Sequence, residues 1–200
     1  MKRHLAATVL LAFLALPFTA PARSEEASTS APAPAQPTAP APPPRMSRSD
    51  TPAPGEKKLP WLAFDAAAEK AKKENKHIIV DIYTTWCGWC KVMDRQTYGN
   101  SEVADYLLSN FVLAKVNGEA SAQLHWKGKT MTEREFARAV GVTGYPATYF
   151  LKPDAEIIGG VPGFIQPGDF VVYAKYVSTK WYDKGSPQEY LKSLEQDPPK

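Results

Sequence analysis

A run of seven residues, His77 to Tyr83, is nearly continuous in apolar and β-branched side chains, and a cysteine pair follows it after a three-residue turn. Such a run is typical of a strand that is covered on both faces. Two residues separate Cys87 from Cys90, and the polar stretch that continues to Thr97 favours a helix. A bare Cys-x-x-Cys pair is a weak signal, but its place between a buried strand and a helix makes it a strong one.

The first 22 residues are typical of a secretory signal. Lys2 and Arg3 supply the positive start, residues 10–18 an apolar run, and residues 20–22 a small-x-small cleavage site. The apolar run is too short to span a bilayer comfortably. The sequence therefore predicts a periplasmic or secreted protein, with an uncleaved N-terminus that tethers the chain to a membrane as the alternative.

Residues 23–58 form a second segment, rich in Ala, Pro, Ser and Thr. It buries too little apolar surface to offset its ordering entropy, so we interpret it as a disordered spacer and residues 59–200 as the single folded domain. A proline-rich ligand for a partner domain is the weaker alternative. Residues 59–200 hold seventeen Lys or Arg and seventeen Asp or Glu. This balance predicts no nucleic-acid partner, and it gives no footprint for an anionic membrane.

Helical and strand-forming stretches alternate along the predicted domain. The patterns predict helices over 65–76, 87–97, 101–108, 132–140 and 169–181 and from 186 onward, and strands over 77–83, 111–116, 147–151 and 156–161. Asp65 and Ser101 are the expected N-caps, and Thr132 begins a capping box. Residues 117–130 form a polar excursion. The order predicts an α/β fold, with a mixed central sheet between layers of helices.

The turn Trp86-Cys87-Gly88-Trp89-Cys90-Lys91 resembles the active-site turn of the thioredoxin superfamily. Three further matches support the resemblance. Asp81 lies where thioredoxins carry a buried aspartate, and Lys115 where they carry its lysine neighbour. The segment from Gly141 to Thr148 resembles the one whose proline, here Pro146, follows a cis peptide bond. The resemblance implies a thioredoxin-like three-layer α/β/α sandwich, here with an extra C-terminal helix.

Residues 60–182 carry the likeness, which is closer to the exported branch that includes SoxW-type proteins and the C-terminal domain of the membrane thiol-reductant transporters. That branch shares the W-C-x-x-C-K turn, a longer polar excursion and a glycine-aromatic element such as Gly163-Phe164. Two departures stand out. Gly88-Trp89 replaces the Gly-Pro of thioredoxin, so the redox potential does not carry over. Tyr145 is bulkier than the residue that usually precedes the cis proline.

Thiol-disulfide exchange needs a thiolate, and the start of a helix favours one. Cys87 is expected there, beside unpaired N–H groups and the positive end of the helix dipole. Cys90 lies about one turn later and more sheltered, so Cys87 is the expected nucleophile and Cys90 the resolving cysteine. The resemblance makes Asp81 the proton acceptor that helps Cys90 ionise, and Lys115 the residue that tunes Asp81. A strand-end aspartate facing water is the alternative for Asp81.

Four residues around the cysteines are candidates for substrate binding. A cis Pro146 would present the backbone of Tyr145 to a substrate strand, although an ordinary turn proline is the alternative. Trp86 and Trp89 flank the cysteines and offer an apolar docking surface, with a packing role equally open for each. Gly88 completes the set.

No metal or separate cofactor is expected beside the redox-active Cys87–Cys90 disulfide. A zinc site would need two more ligands, and the mature chain offers only His77 and His125 as histidines. His125 and its neighbour Trp126 are interpreted as a solvent-facing loop pair. An inert structural disulfide is the alternative, but so small a loop would stabilise the fold little.

These features predict an exported thiol-disulfide oxidoreductase. The expected role is a periplasmic, monomeric reductase of protein or small-molecule disulfides, kept reduced by a membrane thiol-reductant donor. The direction and the donor rest on the resemblance. A disulfide-introducing oxidase is one alternative, and a non-catalytic metallochaperone or adaptor of the same fold is another.

Overall fold

The apolar run forms strand β1 (His77–Tyr83), and all of it except Tyr83 is buried. It pairs in parallel with β2 (Phe111–Asn117) on one side and antiparallel with β5 (Ala147–Leu151) on the other. An interior strand with both edges paired and both faces covered is typically apolar along most of its length, as the sequence predicts. The aspartate inside this strand, Asp81, is therefore buried at the centre of the sheet.

The computed structural model describes residues 58–196. The predicted signal (1–22), all of the predicted spacer (23–58) but its last residue, and the last four residues of the predicted domain lie outside this range. Every helix within residues 58–196 is too short or too polar to span a bilayer.

Apart from two additional strands in the polar excursion, the elements follow the predicted order. The helices are α1 (Phe64–Glu74), α2 (Gly88–Met93), α3 (Ser101–Asn110), α4 (Glu133–Ala139), α5 (Pro167–Ser178) and α6 (Pro187–Gln196). Besides β1, β2 and β5, the strands are β3 (Gln123–Trp126), β4 (Lys129–Thr132) and β6 (Ile157–Pro162). A π-helical turn, Asp94–Tyr98, continues α2, and a 3-10 turn, Trp181–Asp183, follows α5.

A four-stranded mixed sheet in the order β2-β1-β5-β6 forms the central layer. Side chains that alternate along β1 enter two different cores. Ile79 packs with Phe170 of α5 and residues of α3, whereas Ile78 and Val80 pack with Phe64 of α1 and residues of α4. The sheet is thus covered on both faces, and the predicted arrangement of a mixed sheet between helices is confirmed.

Two of the predicted N-caps, Asp65 and Ser101, differ from those in the structure. Ala63 precedes α1 without a side-chain cap, so the predicted N-cap Asp65 is wrong. Asn100 caps α3 instead of Ser101, because its Oδ1 accepts the backbone N–H groups of both Glu102 and Val103. The capping box that begins at Thr132 is confirmed.

The polar excursion contains a hairpin that the sequence analysis missed. β3 and β4 pair antiparallel around Lys127 and Gly128, both of which have positive φ. The interpretation of His125 and Trp126 as a loop pair is therefore wrong. His125 lies on β3 with its ring against the Asp65 carboxylate (2.7 Å), and the half-buried ring of Trp126 packs on Phe136, with centroids 5.3 Å apart. Both contacts join residues distant in sequence, so local composition did not reveal them.

The capping of α3 gives a matched pair of variants. Asn100→Ala removes the acceptor of two backbone N–H groups and should lower the free energy of unfolding by about 1 kcal/mol. Ser101→Ala should change it by only a few tenths, since that side chain is no cap. Urea unfolding of the two variants beside the wild type measures both. An equal loss in the two variants would contradict this capping assignment.

Candidate functional site

The cysteine pair forms a disulfide at the start of α2. Cys87 is the N-cap, with extended backbone, and Cys90 lies in the first turn. In this disulfide form the two residues are 4% and 5% exposed, so the expected greater exposure of Cys87 is not found.

The two cysteines differ in their hydrogen bonds, although their exposed fractions are nearly equal. The backbone N–H of Cys90 donates to Sγ of Cys87 at 3.0 Å. The N-terminal N–H groups of a helix have no carbonyl partner within the helix and stabilise negative charge. A thiolate on Cys87 would keep this donor and the helix dipole. The geometry thus supports the sequence-based assignment of Cys87 as the nucleophile.

Asp81 is 2% exposed and has three polar neighbours. The register of the sheet places it between Lys115 of β2 and Thr148 of β5. The Tyr98 hydroxyl donates to Oδ1 of Asp81 at a long 3.4 Å, and Lys115 Nζ lies 3.5 Å from Oδ2. The structure therefore brings together Asp81 and Lys115, as the resemblance implies, and excludes the alternative of a carboxylate facing water.

Lys115 is shared with a second carboxylate that the sequence analysis did not single out. Its Nζ lies 2.6 Å from Oδ1 of Asp94 and 3.5 Å from Oδ2 of Asp81, so Asp94 is the closer partner. Asp94 lies four residues after Cys90 in a continuous helical stretch, so the two residues lie on the same face of that stretch. This spacing is the signal in the sequence that could have identified Asp94 as a candidate site residue. The ammonium also faces the rings of Trp61 and Tyr83, at 5.3 Å and 5.1 Å from their centroids.

Burial raises the pKa of Asp81 to about 7. Lys115 acts in the opposite direction, but it is bound more closely to Asp94, whose negative charge adds to the rise. The pKa of Lys115 is also raised: its partial burial opposes this, and the two carboxylates outweigh that effect. Asp81 therefore changes protonation close to neutral pH while Lys115 stays charged.

Aromatic side chains surround the cysteine turn. Trp86 is 67% exposed, and its ring meets that of Tyr145 edge to face, with centroids 6.1 Å apart. Trp89 lies against Phe164, at 5.6 Å and a tilt of 39°. The high exposure of Trp86 argues against the packing role that the sequence left open.

The loop before β5 brings Tyr145 to the cysteine turn. The Tyr145–Pro146 peptide bond is cis. The Tyr145 hydroxyl donates to the carbonyl oxygen of Gly118 at 3.2 Å, and a Cβ atom at residue 118 would lie 2.4 Å from that hydroxyl. Tyr145 is bulkier than the usual residue of the family, and the absence of a side chain at Gly118, just after β2, leaves room for it. Gly88, the first residue of α2, is half-buried between the cysteines.

Metal ligands do not cluster in the described part of the chain: residues 58–196 hold no group of three or more His, Cys, Asp or Glu side chains able to bind an ion. The two histidines of this range are both engaged elsewhere. His77 hydrogen-bonds with Tyr182 at 2.8 Å, and His125 with Asp65.

The family model described as a thioredoxin-like domain matches residues 64–178. The thiol:disulfide interchange protein DsbD of Pseudoalteromonas atlantica is 28% identical over 116 residues, which cover 57% of this chain and 18% of that protein. An uncharacterized protein of Caenorhabditis elegans is 28% identical over 150 residues, covering 66% of this chain and 20% of its own length. The chain thus spans about a fifth of the length of these curated relatives.

Two solved structures share the fold. A thioredoxin from Thermus thermophilus has a TM-score of 0.52 and 24% identity, covering 62% of this chain and 90% of that one. A thioredoxin-fold protein from Helicobacter pylori has the same TM-score and 18% identity, covering 62% and 82%. The predicted thioredoxin-like α/β fold is therefore confirmed.

The buried carboxyl group gives a pH-dependent prediction. Asp81 has a folded-state pKa of about 7 against an ordinary 3.8, so the native state binds its proton more tightly than the unfolded state does. The resulting stabilisation is complete below about pH 4 and is lost as the pH rises through 7. Asn does not titrate, so Asp81→Asn should not share this loss. The free energy of unfolding of the variant, relative to that of the wild type, should therefore rise by roughly 2–4 kcal/mol from pH 4 to pH 8.

Urea unfolding of the disulfide form at several pH values measures this difference. A difference between variant and wild type that stays constant from pH 4 to pH 8 would contradict the raised pKa.

Proposed function

The chain belongs to the family of thioredoxin-like domains, and from that premise we propose that it is a thiol-disulfide oxidoreductase whose redox centre is the Cys87–Cys90 pair. One observation carries the proposal: the disulfide stands at a helix N-terminus, and the register of the central sheet buries a carboxyl group with a pKa near 7 in the adjoining strand.

The proposed reaction has two exchange steps. The thiolate of reduced Cys87 attacks one sulfur of a substrate disulfide, forms a mixed disulfide and releases the other sulfur as a thiolate. Cys90 then loses its proton and attacks Sγ of Cys87. This second step releases the remaining substrate thiol and forms the Cys87–Cys90 disulfide, so that two electrons pass to the substrate. The structure holds the pair in this product form, with the two Cα atoms 5.3 Å apart.

Asp81 is the proposed acceptor of the Cys90 proton. A carboxyl group with a pKa near 7 is present in both protonation states at neutral pH, which suits a group that takes up and returns a proton. Lys115 limits the rise in that pKa, and Asp94 draws the ammonium away from Asp81. The roles of Asp81 and Lys115 follow from these contacts together with the family resemblance.

Disulfide reduction is the proposed direction. A stabilised thiolate makes a dithiol reluctant to give up its electrons, as in strong oxidants. Gly88 and Trp89 bring no cation to Cys87, and the cluster around Lys115 holds two carboxyl groups, Asp81 and Asp94, against one ammonium. Neither feature stabilises a thiolate beyond what the helix start supplies.

The cellular setting is likewise proposed. The signal-like residues 1–22 support export to the periplasm, and a relative named as a thiol:disulfide interchange protein supports a membrane thiol-reductant donor as the source of electrons. Protein or small-molecule disulfides are the proposed substrates.

The division of labour between the cysteines can be tested by trapping. Cys90→Ala should leave attack intact and remove the second step, so partners should remain bound to Cys87. Extracts that contain this variant should show higher-mass adducts on non-reducing gels, and dithiothreitol should remove them. Cys87→Ala is the matched control and should show none. Adducts on Cys87→Ala alone would reverse the two roles, and adducts on neither would favour a non-catalytic adaptor.

The direction can be tested by redox equilibrium. We expect a reduction potential for the Cys87–Cys90 pair nearer to about −270 mV, a reducing thioredoxin value, than to about −120 mV, a strongly oxidising one. Equilibration with glutathione buffers, followed by alkylation of free thiols, measures it. A potential above about −150 mV would overturn the reductase proposal in favour of a disulfide-introducing oxidase.

A further inference from the structure

An open cleft of about 600 Å³ lies beside the cysteine turn. One of its walls is Tyr145, whose ring meets that of Trp86, the residue before Cys87. The indole N–H of Trp86 also donates to the carboxylate of Glu119, which lines the cleft, at 2.8 Å. The cleft is therefore continuous with the surface around Cys87.

Helix α4 gives this cleft two guanidinium groups. Arg134 and Arg138 are exposed, stand four residues apart and both line it. Arg134 donates from Nε and one Nη to the carbonyl oxygen of Glu119. Arg138 makes no hydrogen bond or ion pair within residues 58–196. A guanidinium offers five donors, so Arg138 has all of its donors, and Arg134 part of them, free for a ligand.

The acidic groups nearby are already engaged. The Glu119 carboxylate is held by Trp86, Glu133 accepts the backbone N–H of Asn117 at 3.0 Å, and Glu135 belongs to the capping box of α4. Of these three, only Glu119 lines the cleft. The lining of the cleft therefore has two positive charges, on Arg134 and Arg138, and one negative charge. The negative charge, on Glu119, accepts a hydrogen bond from Trp86 of the cysteine turn.

We propose that this cleft binds a carboxylate of the disulfide substrate, held by Arg138 with help from Arg134. Paired N–H donors of a guanidinium match the two oxygens of a carboxylate, and this match gives direction as well as attraction. If a substrate strand lies along Tyr145, an acidic residue within a few positions of the substrate cysteine would have its side chain at the cleft. The inference rests on the proposed function and adds a substrate class: disulfides with a carboxylate close to the reacting sulfur.

A carboxylate of this kind has two sources, a peptide side chain and a small-molecule disulfide. Two pairs of probes separate them. The first pair is a blocked peptide disulfide with Glu on either side of its cysteine and the same peptide with Gln. The second pair is oxidised glutathione and its ethyl ester. Each pair differs in carboxylate charge around an equivalent disulfide.

The test is the second-order rate constant for oxidation of the reduced full chain by each probe at low ionic strength. We expect a preference of about fivefold for the acidic member of at least one pair, falling as salt is added. Arg138→Gln should bring that ratio to about one. Arg95→Gln is the matched control, because Arg95 is an exposed arginine in the turn after α2 that does not line the cleft, and it should keep the wild-type ratio.

The outcomes separate the inference from the proposed function. Equal rates within both pairs, or a preference that survives in Arg138→Gln, would overturn the carboxylate site and leave the oxidoreductase intact. A preference lost equally in Arg95→Gln would overturn it too, since net charge alone would then explain the effect. Failure of the reduced chain to react with any of the four probes would overturn the proposed function and the inference together.

Discussion

Burial of a carboxyl group in the central strand is the constraint on which the redox centre depends. Asp81 must lie in β1 for its side chain to meet the helical segment after the cysteines, and its burial is costly unless it is protonated or paired. Lys115 is its partner from β2, but the ammonium is held more closely by Asp94. This incomplete pairing keeps the carboxyl group poised near neutral pH.

The other parts of the site lie at the end of the sheet where β1 ends. β1 and β2 are parallel and end together, and β5 is antiparallel to β1, so it starts where β1 ends. Trp86 follows the end of β1, Gly118 follows the end of β2, and Tyr145 precedes β5. The sheet topology alone thus brings three separate loops beside the cysteines, and the arginines of α4 reach the same surface.

Contacts around Tyr145 show how one departure from a family pattern depends on a residue distant in sequence. A large side chain before the cis proline needs space, and the absence of a Cβ atom at Gly118 supplies it. The phenol then forms a wall between the redox centre and the cleft, and its ring supports Trp86. The shape of the surface beside the cysteine turn is therefore set by a pair of residues 27 positions apart, Gly118 and Tyr145.

The sequence by itself determined the strand before the cysteines, the helix they begin, the capping box at Thr132 and the mixed sheet, because each follows from local periodicity, local capping or the order of elements. It did not determine the hairpin of β3 and β4, the capping by Asn100, the sharing of Lys115 or the cleft beside Tyr145. The cap and the hairpin are local features, whereas the sharing of Lys115 and the cleft depend on which distant residues the fold makes neighbours. Two carboxylates compete for Lys115 only because β1, β2 and the segment after α2 converge in space, and that convergence belongs to the tertiary structure.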